Sequence, residues 1–249
     1  MICIKSPDEI IGMRNACRLA AEVLDTVGKN IKLGISTKEL ETIAAKKIKI
    51  LGAKSVFLGY HGYPGVICTS VNNVVIHGIP STQKLKEGDI VGIDVGVILD
   101  GFCGDTAKTF TVGRILPEAE KLLSVSELSL KTALGKCRAN CRVGDVSGAI
   151  QTVVEKNGFS VVRDFVGHGV GRQLHEDPQI PNYGTPGVGL RIPENCCLAV
   201  EVMVNQGDWH VKILDDSWTV VTLDEKLSAH FEHTVLVKKD SCEVLTNYK

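Results

Sequence analysis

Net charge is nearly absent from this sequence, because 28 lysines and arginines stand against 29 aspartates and glutamates and leave −1 at pH 7. Proteins that bind nucleic acid or anionic membranes usually carry a basic surface, so neither partner is expected. The first residues, Met1 to Pro7, lack the basic-then-apolar pattern of a signal peptide. No apolar run reaches the ~20 residues of a membrane-spanning helix. We therefore expect a cytoplasmic protein.

Cysteine pairs of the C-x-x-C type are also missing, although the chain has nine cysteines. An odd number without such a pair favours free, buried thiols in a reducing compartment. The 249 residues, 44% of them hydrophobic, can build the core of one large domain or of two fused halves.

Charged and imidazole side chains occur inside segments that otherwise read as apolar, glycine-punctuated strands. These residues are Asp94, Asp105, His168, Glu201 and Glu232. A carboxylate in such a strand is costly unless it is paired, hydrogen-bonded or bound to metal. No lysine or arginine is placed equivalently, so the counter-charge that we predict is metal.

Four carboxylates favour two divalent ions. If they converge without metal, neighbours about 4 Å apart repel by roughly 4 kcal/mol each at an effective dielectric near 20. Two divalent cations bring the sum of the charges to zero. If the side chains do not converge, the alternative is four independent structural carboxylates.

A hairpin is predicted between the first two of these residues. Asp100-Gly101 is a strong two-residue turn signal between apolar runs. With this turn, Asp94 faces Ala107 and Gly96 faces Asp105. Both carboxylates then point to one face of the hairpin, roughly 6–8 Å apart at the backbone. Gly96 would leave space between them.

Helix signals divide the chain into two similar stretches. Ser6 to Glu9 forms a capping box, and the segment from Gly34 opens a second helix that ends near Gly52. Pro117 opens a third helix to about Gly135, and a fourth runs from Gly144 to about Gly158. Strands and turns follow each pair of helices.

The second and fourth helices align at an offset of 110 residues, which suggests related halves of about 1–115 and 116–249. Asp94 and Asp105 belong to the first half, and the other three predicted ligands to the second, so we expect the site where the halves meet. Strands joined by turns predict an α+β fold with a mostly antiparallel sheet and helices on its outer face.

Several longer motifs surround the five predicted ligands. They are GYHGYP at 59–64, NNVVIHGIP at 72–80, DGFCGDT at 100–106, GHGVG at 167–171, HEDP at 175–178 and EHT at 232–234. With these motifs in this order, the chain resembles the "pita-bread" metallopeptidases, and within them type I methionine aminopeptidase. The resemblance runs from about Ile4 to Lys239.

The resemblance implies two divalent ions, with manganese, iron, cobalt or zinc as candidates. It makes Asp105 and Glu232 the bridging ligands, adds Asp94 to one ion, and adds His168 and Glu201 to the other. It also implies a monovalent-cation site that braces the loop before His77. The residues of that site are Asn72, Val74 and Ser228.

The same resemblance implies that a metal-activated water attacks the first peptide bond. Glu201 would carry the proton to the leaving amine, His77 would lie beside the scissile bond, and His175 would hydrogen-bond the substrate carbonyl. The positions expected around the methionine side chain are Tyr60, Tyr63, Cys68, Phe165 and Trp218, together with both histidines.

The implied activity is removal of the initiator methionine from nascent chains whose second residue is small, by a monomer that could contact the ribosome. One alternative is a proline-specific aminopeptidase or dipeptidase of the same fold, which usually carries an extra N-terminal domain. Another is a non-enzymatic binding module, although such relatives typically lose ligands and all five remain here.

Three residues depart from the family pattern. Val202 follows Glu201 where proline is usual, His230 stands where glutamine is common, and Phe57 replaces a smaller residue. We expect His230 to add either a hydrogen bond to a metal ligand or a pH-sensitive contact. Val202 frees a backbone N–H and should change the local geometry slightly, and Phe57 should change the shape of the pocket.

Overall fold

The secondary structure is α+β, as predicted. A computed structural model describes residues 1–247. Its helices are α1 Pro7–Gly28, α2 Thr37–Ile50, α3 Pro117–Leu134 and α4 Val143–Lys156, with a 3-10 turn at Tyr60–Gly62. Its strands are β1 Lys54–Ser55, β2 Cys68–Val71, β3 Val74–Ile76, β4 Ile90–Leu99, β5 Phe102–Thr111, β6 Ser160–Val161, β7 Val166–Gly169, β8 Glu176–Pro181, β9 Cys197–Asn205, β10 Val211–Ile213, β11 Val220–Thr222, β12 Ser228–Val237 and β13 Cys242–Val244.

The helix starts follow the capping signals. Ser6 Oγ accepts a hydrogen bond from the Glu9 amide at 3.3 Å, and the Glu9 carboxylate accepts one from the Ser6 amide at 3.0 Å. Ser36 and Glu39 form the same reciprocal pair at the start of α2. These bonds satisfy amide donors that the first helical turn leaves free, which is why both helices begin as predicted.

The predicted offset between α2 and α4 is wrong by four residues. Helix α4 begins at Val143, and Asp145 accepts a hydrogen bond from the Arg142 amide at 2.7 Å, as Glu39 does from the Ser36 amide. The equivalent caps are therefore 106 residues apart rather than 110. Because apolar positions on a helix recur every three or four residues, a shift of four keeps the apolar pattern almost unchanged.

Every strand pair is antiparallel, which confirms the predicted sheet type. The main path through the larger sheet is β1-β4-β5-β12-β9-β7-β8, and a smaller sheet has the order β10-β11-β3. Strand β5 from the first half lies beside β12 from the second. This junction places residues from both halves next to one another.

Apolar clusters pack the helices onto the sheet. Val23 of α1 and Leu40 of α2 pack in one cluster with Val95 of β4. Val146 of α4 and Val202 of β9 belong to another. Each pair of helices therefore covers its own stretch of sheet, and the opposite face of the central strands is left for the site. No helix within residues 1–247 is both long and apolar enough to cross a membrane.

Candidate metal centre and substrate pocket

Four central strands bring three of the predicted ligands into one row. Asp94 on β4 faces Ala107 on β5, Ala107 faces Glu232 on β12, and Glu232 faces Glu201 on β9. Directly opposed residues in a sheet point to the same face. The row therefore places three carboxylates side by side, and the small Ala107 leaves room between Asp94 and Glu232.

Asp105 and His168 join the same face from the next position along the strands. Asp105 lies two residues before Ala107, and the hairpin register that places it opposite Gly96 is the predicted one. His168 on β7 faces Ala199, which lies two residues before Glu201 on β9. Because side chains alternate along a strand, all five predicted ligands share one face.

The ligand atoms approach one another closely. One ligand atom each from Asp105, His168 and Glu232 lie within 4.8 Å of one another. His168 Nε2 is 3.8 Å from Asp105 Oδ2 and 3.8 Å from Glu201 Oε1. His168 Nδ1 lies 2.9 Å from the Gly169 carbonyl oxygen, which can only accept, so Nδ1 carries the proton. The Nε2 lone pair therefore faces the carboxylates, as in a metal ligand.

Oxygen atoms of the cluster lack partners. Asp94 Oδ1, Asp105 Oδ1 and Glu232 Oε1 are buried without a hydrogen bond. Among residues 1–247, no lysine or arginine forms an ion pair with the four carboxylates. Buried carboxylate oxygens without donors are costly, and oxygen and imidazole donors suit divalent metal ions. The residues therefore fit a divalent metal centre.

Burial and mutual repulsion disturb the protonation of the cluster. Burial raises the pKa of Asp105 from 3.8 to about 8, and the charge of Glu201 adds to the rise. Burial, followed by neighbouring carboxylates, also raises the pKa of Asp94 and of Glu232 well above their usual values. Without metal, the folded protein therefore retains protons on these carboxyl groups at neutral pH.

Glu201 behaves differently because it has imidazole neighbours. Burial raises its pKa, but His230, His168 and His77 together lower it by more, so the net shift is downward. His230 Nε2 is buried and lies 3.2 Å from Glu201 Oε2, but the pair lacks hydrogen-bond geometry, so His230 supports this residue by close contact and not by a formed hydrogen bond. The unusual Val202 lies in the apolar core beneath β9.

His77 sits where the backbone is constrained. It follows β3 with a φ of +58°, a conformation that costs about 1–3 kcal/mol for a residue with a side chain. A Cβ on the next residue, Gly78, would lie 2.2 Å from the Thr69 carbonyl oxygen. Only glycine permits this approach, in which the Gly78 carbonyl accepts hydrogen bonds from the Thr69 amide and from Tyr63 Oη.

His175 is held through its ring. Tyr60 Oη lies 2.6 Å from His175 Nδ1, and the ring packs edge-on against His168 with 4.4 Å between centroids. His175 is partly exposed, but burial against these neighbours lowers its pKa to about 4. The nearby His168 ring adds to this lowering of the pKa. Burial likewise lowers the pKa of His77 to about 4. Both imidazoles are therefore neutral at pH 7.

A cavity of about 90 Å³ lies against the carboxylate cluster. Of the predicted substrate-binding residues it is lined by Tyr60, Tyr63, Cys68, His77, His175 and Trp218. Ile76 and Leu174 also line it but were not predicted, since only their position next to His77 and His175 could have indicated them. The lining is aromatic and aliphatic on one side and acidic on the other, so the cavity suits an apolar side chain beside reacting polar groups.

Gly96 and Phe165 differ from the expectations. Phe57 lines the cavity, and a Cβ on Gly96 would lie 2.4 Å from its ring. The space at Gly96 is therefore filled by this ring rather than left open between the carboxylates. Phe165 does not line the cavity. It borders the open groove outside, where its ring meets His77 edge-on at 5.9 Å between centroids.

The groove outside the cavity has a volume of about 1230 Å³. Ile76, His77, His168, His175 and Glu201 line both the groove and the cavity. The cavity therefore opens into the groove past the two neutral histidines and Glu201, and an extended chain could enter from the groove with its first side chain in the cavity.

The residues predicted to hold a monovalent cation meet only in part. The Ser228 amide donates to the Asn72 carbonyl at 2.9 Å, while the Asn72 side chain bonds Asp89 and the Ile90 amide. Val74 opens β3 and faces Val221 on β11. These bonds fix the segment that leads into His77.

Comparison with known proteins agrees with this geometry. Residues 11–239 match metallopeptidase family M24. The chain is 50% identical to a methionine aminopeptidase of Clostridium perfringens, with all of both chains covered, and 50% identical to methionine aminopeptidase 1 of Bacillus subtilis, with 99% of each covered.

Solved structures show the same pattern. A methionine aminopeptidase from Thermotoga maritima superposes with a TM-score of 0.98 at 46% identity over all of both chains. A prolidase from Pyrococcus furiosus, at 19% identity and a TM-score of 0.81, covers 99% of this chain with 66% of its own and shares the fold alone. The chain therefore belongs to metallopeptidase family M24 and, within it, to the methionine aminopeptidases.

Proposed function

We propose that this chain removes the initiator methionine from nascent polypeptides whose second residue is small. The observation that carries the proposal is the set of buried, unpartnered carboxylate oxygens at the wall of an apolar cavity that opens into a groove. The names of the relatives at 50% identity support the same activity. The nine free thiols fit a cytoplasmic enzyme.

Two divalent ions are proposed to bind between the central strands. Asp105 and Glu232 would hold both ions, Asp94 would complete one, and His168 and Glu201 the other. Mostly oxygen donors with a single imidazole suit manganese, iron or cobalt, and zinc is a further candidate. When bound, such ions make a water molecule a strong nucleophile near neutral pH.

Glu201 is proposed to move the proton during the reaction. Its lowered pKa keeps the carboxylate ionised, so it can accept a proton from the attacking water. Its side chain lies at the boundary between the cavity and the groove, where the leaving amine must form. Glu201 could therefore pass the same proton to that amine.

His175 and His77 are proposed to bind the substrate carbonyl and the region of the scissile bond. Burial raises the pKa of Tyr60, so its hydroxyl keeps a proton that it can donate to His175 Nδ1. The proton of the neutral ring then resides on Nε2, which can donate to a developing oxyanion. His77 also lines both the cavity and the groove, and its role would be to serve the leaving nitrogen.

Substrate choice follows from the shape of the opening. Methionine is unbranched and polarizable, so it can fill a narrow cavity lined by Tyr63, Cys68 and Trp218. The second residue would lie between His77 and His175, with Phe165 beside it in the groove. A bulky second side chain would collide with these rings.

A monovalent cation bound near Asn72, Val74 and Ser228 is a further part of the proposal. It would brace the segment before His77, which the hydrogen bonds around Asn72 and Ser228 already hold. We also propose that the enzyme acts as a monomer on chains leaving the ribosome.

The function is tested with a set of short peptides and metal-loaded protein. Met-Ala-Ser and Met-Gly-Ser should be cleaved well, Met-Leu-Ser and Met-Lys-Ser poorly, and N-acetylated Met-Ala-Ser not at all. A change of about one methylene in an apolar pocket alters discrimination by only about 1–3 kcal/mol. Norleucine only replaces the methionine sulfur with a methylene, so slow cleavage after norleucine is expected. Efficient cleavage of Ala-Pro, or indifference to the second residue, would favour a proline-specific or general peptidase instead.

A further inference from the structure

A buried ion pair outside the carboxylate cluster joins the N-terminal segment to strand β8. Lys5 Nζ is 2.6 Å from Glu176 Oε2, and the two side chains are only 6% and 10% exposed. Lysine is almost never so buried unless it is paired. The pair links the segment before α1 to the first residue of β8, which directly follows His175.

Gly171 makes the space for this pair. A Cβ at this position would lie 2.2 Å from Lys5 Nζ and 2.4 Å from Glu176 Oε1. The same Oε1 accepts a hydrogen bond from the Gln173 amide at 3.3 Å. Both carboxylate oxygens are therefore engaged, and the loop from Gly171 to His175 folds around them.

This loop determines where His175 can lie. Glu176 pairs with Gly169 on β7, next to His168, while its side chain anchors the loop to the N-terminal segment. The Lys5 amide in turn donates to the Asn195 carbonyl at 2.8 Å, which fixes Lys5 itself. Tyr60 holds the ring of His175, but without a fixed backbone one hydrogen bond cannot orient a partly exposed imidazole.

We propose that Lys5 and Glu176 are positioning residues that hold His175 in its productive place. The inference rests on the proposed function, in which His175 binds the substrate carbonyl. A displacement of about 1 Å in a catalytic group can cost roughly 10²-fold in rate, so a small relaxation of this loop is enough to matter.

The first test compares Lys5→Met with Arg14→Met. Arg14 also pairs with a distant carboxylate, Glu243 at 2.8 Å, but on the surface and away from His175. For Met-Ala-Ser, Lys5→Met should lower kcat by about tenfold or more while bound metal stays at the wild-type level. Arg14→Met should match the wild type. Equal kcat in all three proteins would overturn the proposal.

The second test asks whether Lys5 acts through His175. In a His175→Ala background, Lys5→Met should cause no further loss of kcat, because the group that it positions is already gone. If the two losses multiply, Lys5 affects catalysis by another route and the proposal fails.

The effect of Lys5→Met on stability needs its own control. Breaking one side of a buried pair leaves an uncompensated charge, whereas replacing both sides with apolar residues often restores stability. Lys5→Met combined with Glu176→Leu should therefore recover thermal stability while kcat stays low. Recovery of both would show that the pair serves folding only.

The position of His175 can be read without turnover. In protein labelled with ¹⁵N-histidine, Lys5→Met should shift or broaden the ring resonances of His175, assigned with His175→Ala, and Arg14→Met should leave them unchanged. If the wild type does not cleave Met-Ala-Ser, the proposed function fails. The spectrum still tests whether Lys5 positions His175, because it does not depend on turnover. Unchanged resonances in Lys5→Met would contradict it.

Discussion

At the scale of single residues, the protonation of two histidines decides what they can do. His77 and His175 lie beside the carboxylate cluster, outside the five proposed metal ligands, and burial lowers the pKa of each to about 4. They are therefore neutral hydrogen-bond donors rather than cations near pH 7. Which ring nitrogen of His175 carries the proton depends on Tyr60, whose hydroxyl lies 2.6 Å from Nδ1.

Tyr60→Phe should lower kcat by roughly 2- to 10-fold, because a neutral hydrogen bond contributes about 0.5–1.5 kcal/mol. Bound metal should not change, since Tyr60 contacts His175 rather than a carboxylate. Steady-state kinetics with metal analysis checks this, and Tyr183→Phe, an exposed tyrosine, is the control. A wild-type kcat in Tyr60→Phe would show that the hydroxyl does not orient His175.

His77→Ala should lower kcat by roughly 10²-fold or more, as expected for loss of a hydrogen bond made in the transition state. The metal content should stay near the wild-type value. If this variant loses metal on dialysis, His77 belongs among the ligands and its proposed role is wrong.

At the scale of elements, turn and capping residues in the sequence predicted the hairpin register and the helix starts, because neighbouring residues determine both. The turn at Asp100-Gly101 fixed the register of β4 and β5, and the capping boxes at Ser6 and Ser36 fixed two helix starts. The sequence predicts the wrong offset between α2 and α4, because the apolar pattern of a helix nearly repeats after four residues. Neither the pairing of β5 with β12 nor the side on which Phe165 lies follows from neighbours in sequence, because both depend on long-range packing.

Helix α1 packs closely against the hairpin of β4 and β5 at Gly104. A Cβ on Gly104 would lie 2.5 Å from the Ala16 carbonyl oxygen and 2.6 Å from the Cys17 amide nitrogen. Both are backbone atoms of a helix, so they cannot move away as a flexible side chain could. Gly104→Ala should therefore lower the free energy of unfolding by about 1–3 kcal/mol in urea titrations. The matched control is Gly92→Ala on β4, where the nearest atom would be 3.5 Å away. Equal stability of both variants would argue against this close approach.

At the scale of the whole molecule, the carboxylate cluster links metal binding to pH. The pKa of Asp105 rises from 3.8 to about 8 in the metal-free fold, so between these values the folded protein holds a proton that the unfolded chain has lost. Stability of metal-free protein should therefore fall as pH rises through this window. Asp94 and Glu232, whose pKa values are also raised, add to the effect.

Bound metal removes this penalty, because it favours the ionised carboxylates. The increase in Tm on adding Mn²⁺ to chelated protein should consequently be larger near pH 8 than near pH 5. Thermal unfolding at both pH values, with and without metal, measures it. An increase of the same size at both would mean that the metal does not bind to the buried carboxylates.

The central claim is that the five residues on the sheet face form a two-metal peptidase centre. The most direct measurement is a titration of fully chelated protein with Mn²⁺, in which bound metal and cleavage of Met-Ala-Ser are followed in the same samples. Chelated protein should be inactive, activity should return as metal binds, and binding should saturate at two ions per chain. Full activity in the chelated protein would contradict the two-metal centre. So would saturation of Mn²⁺ binding without any increase in cleavage of Met-Ala-Ser.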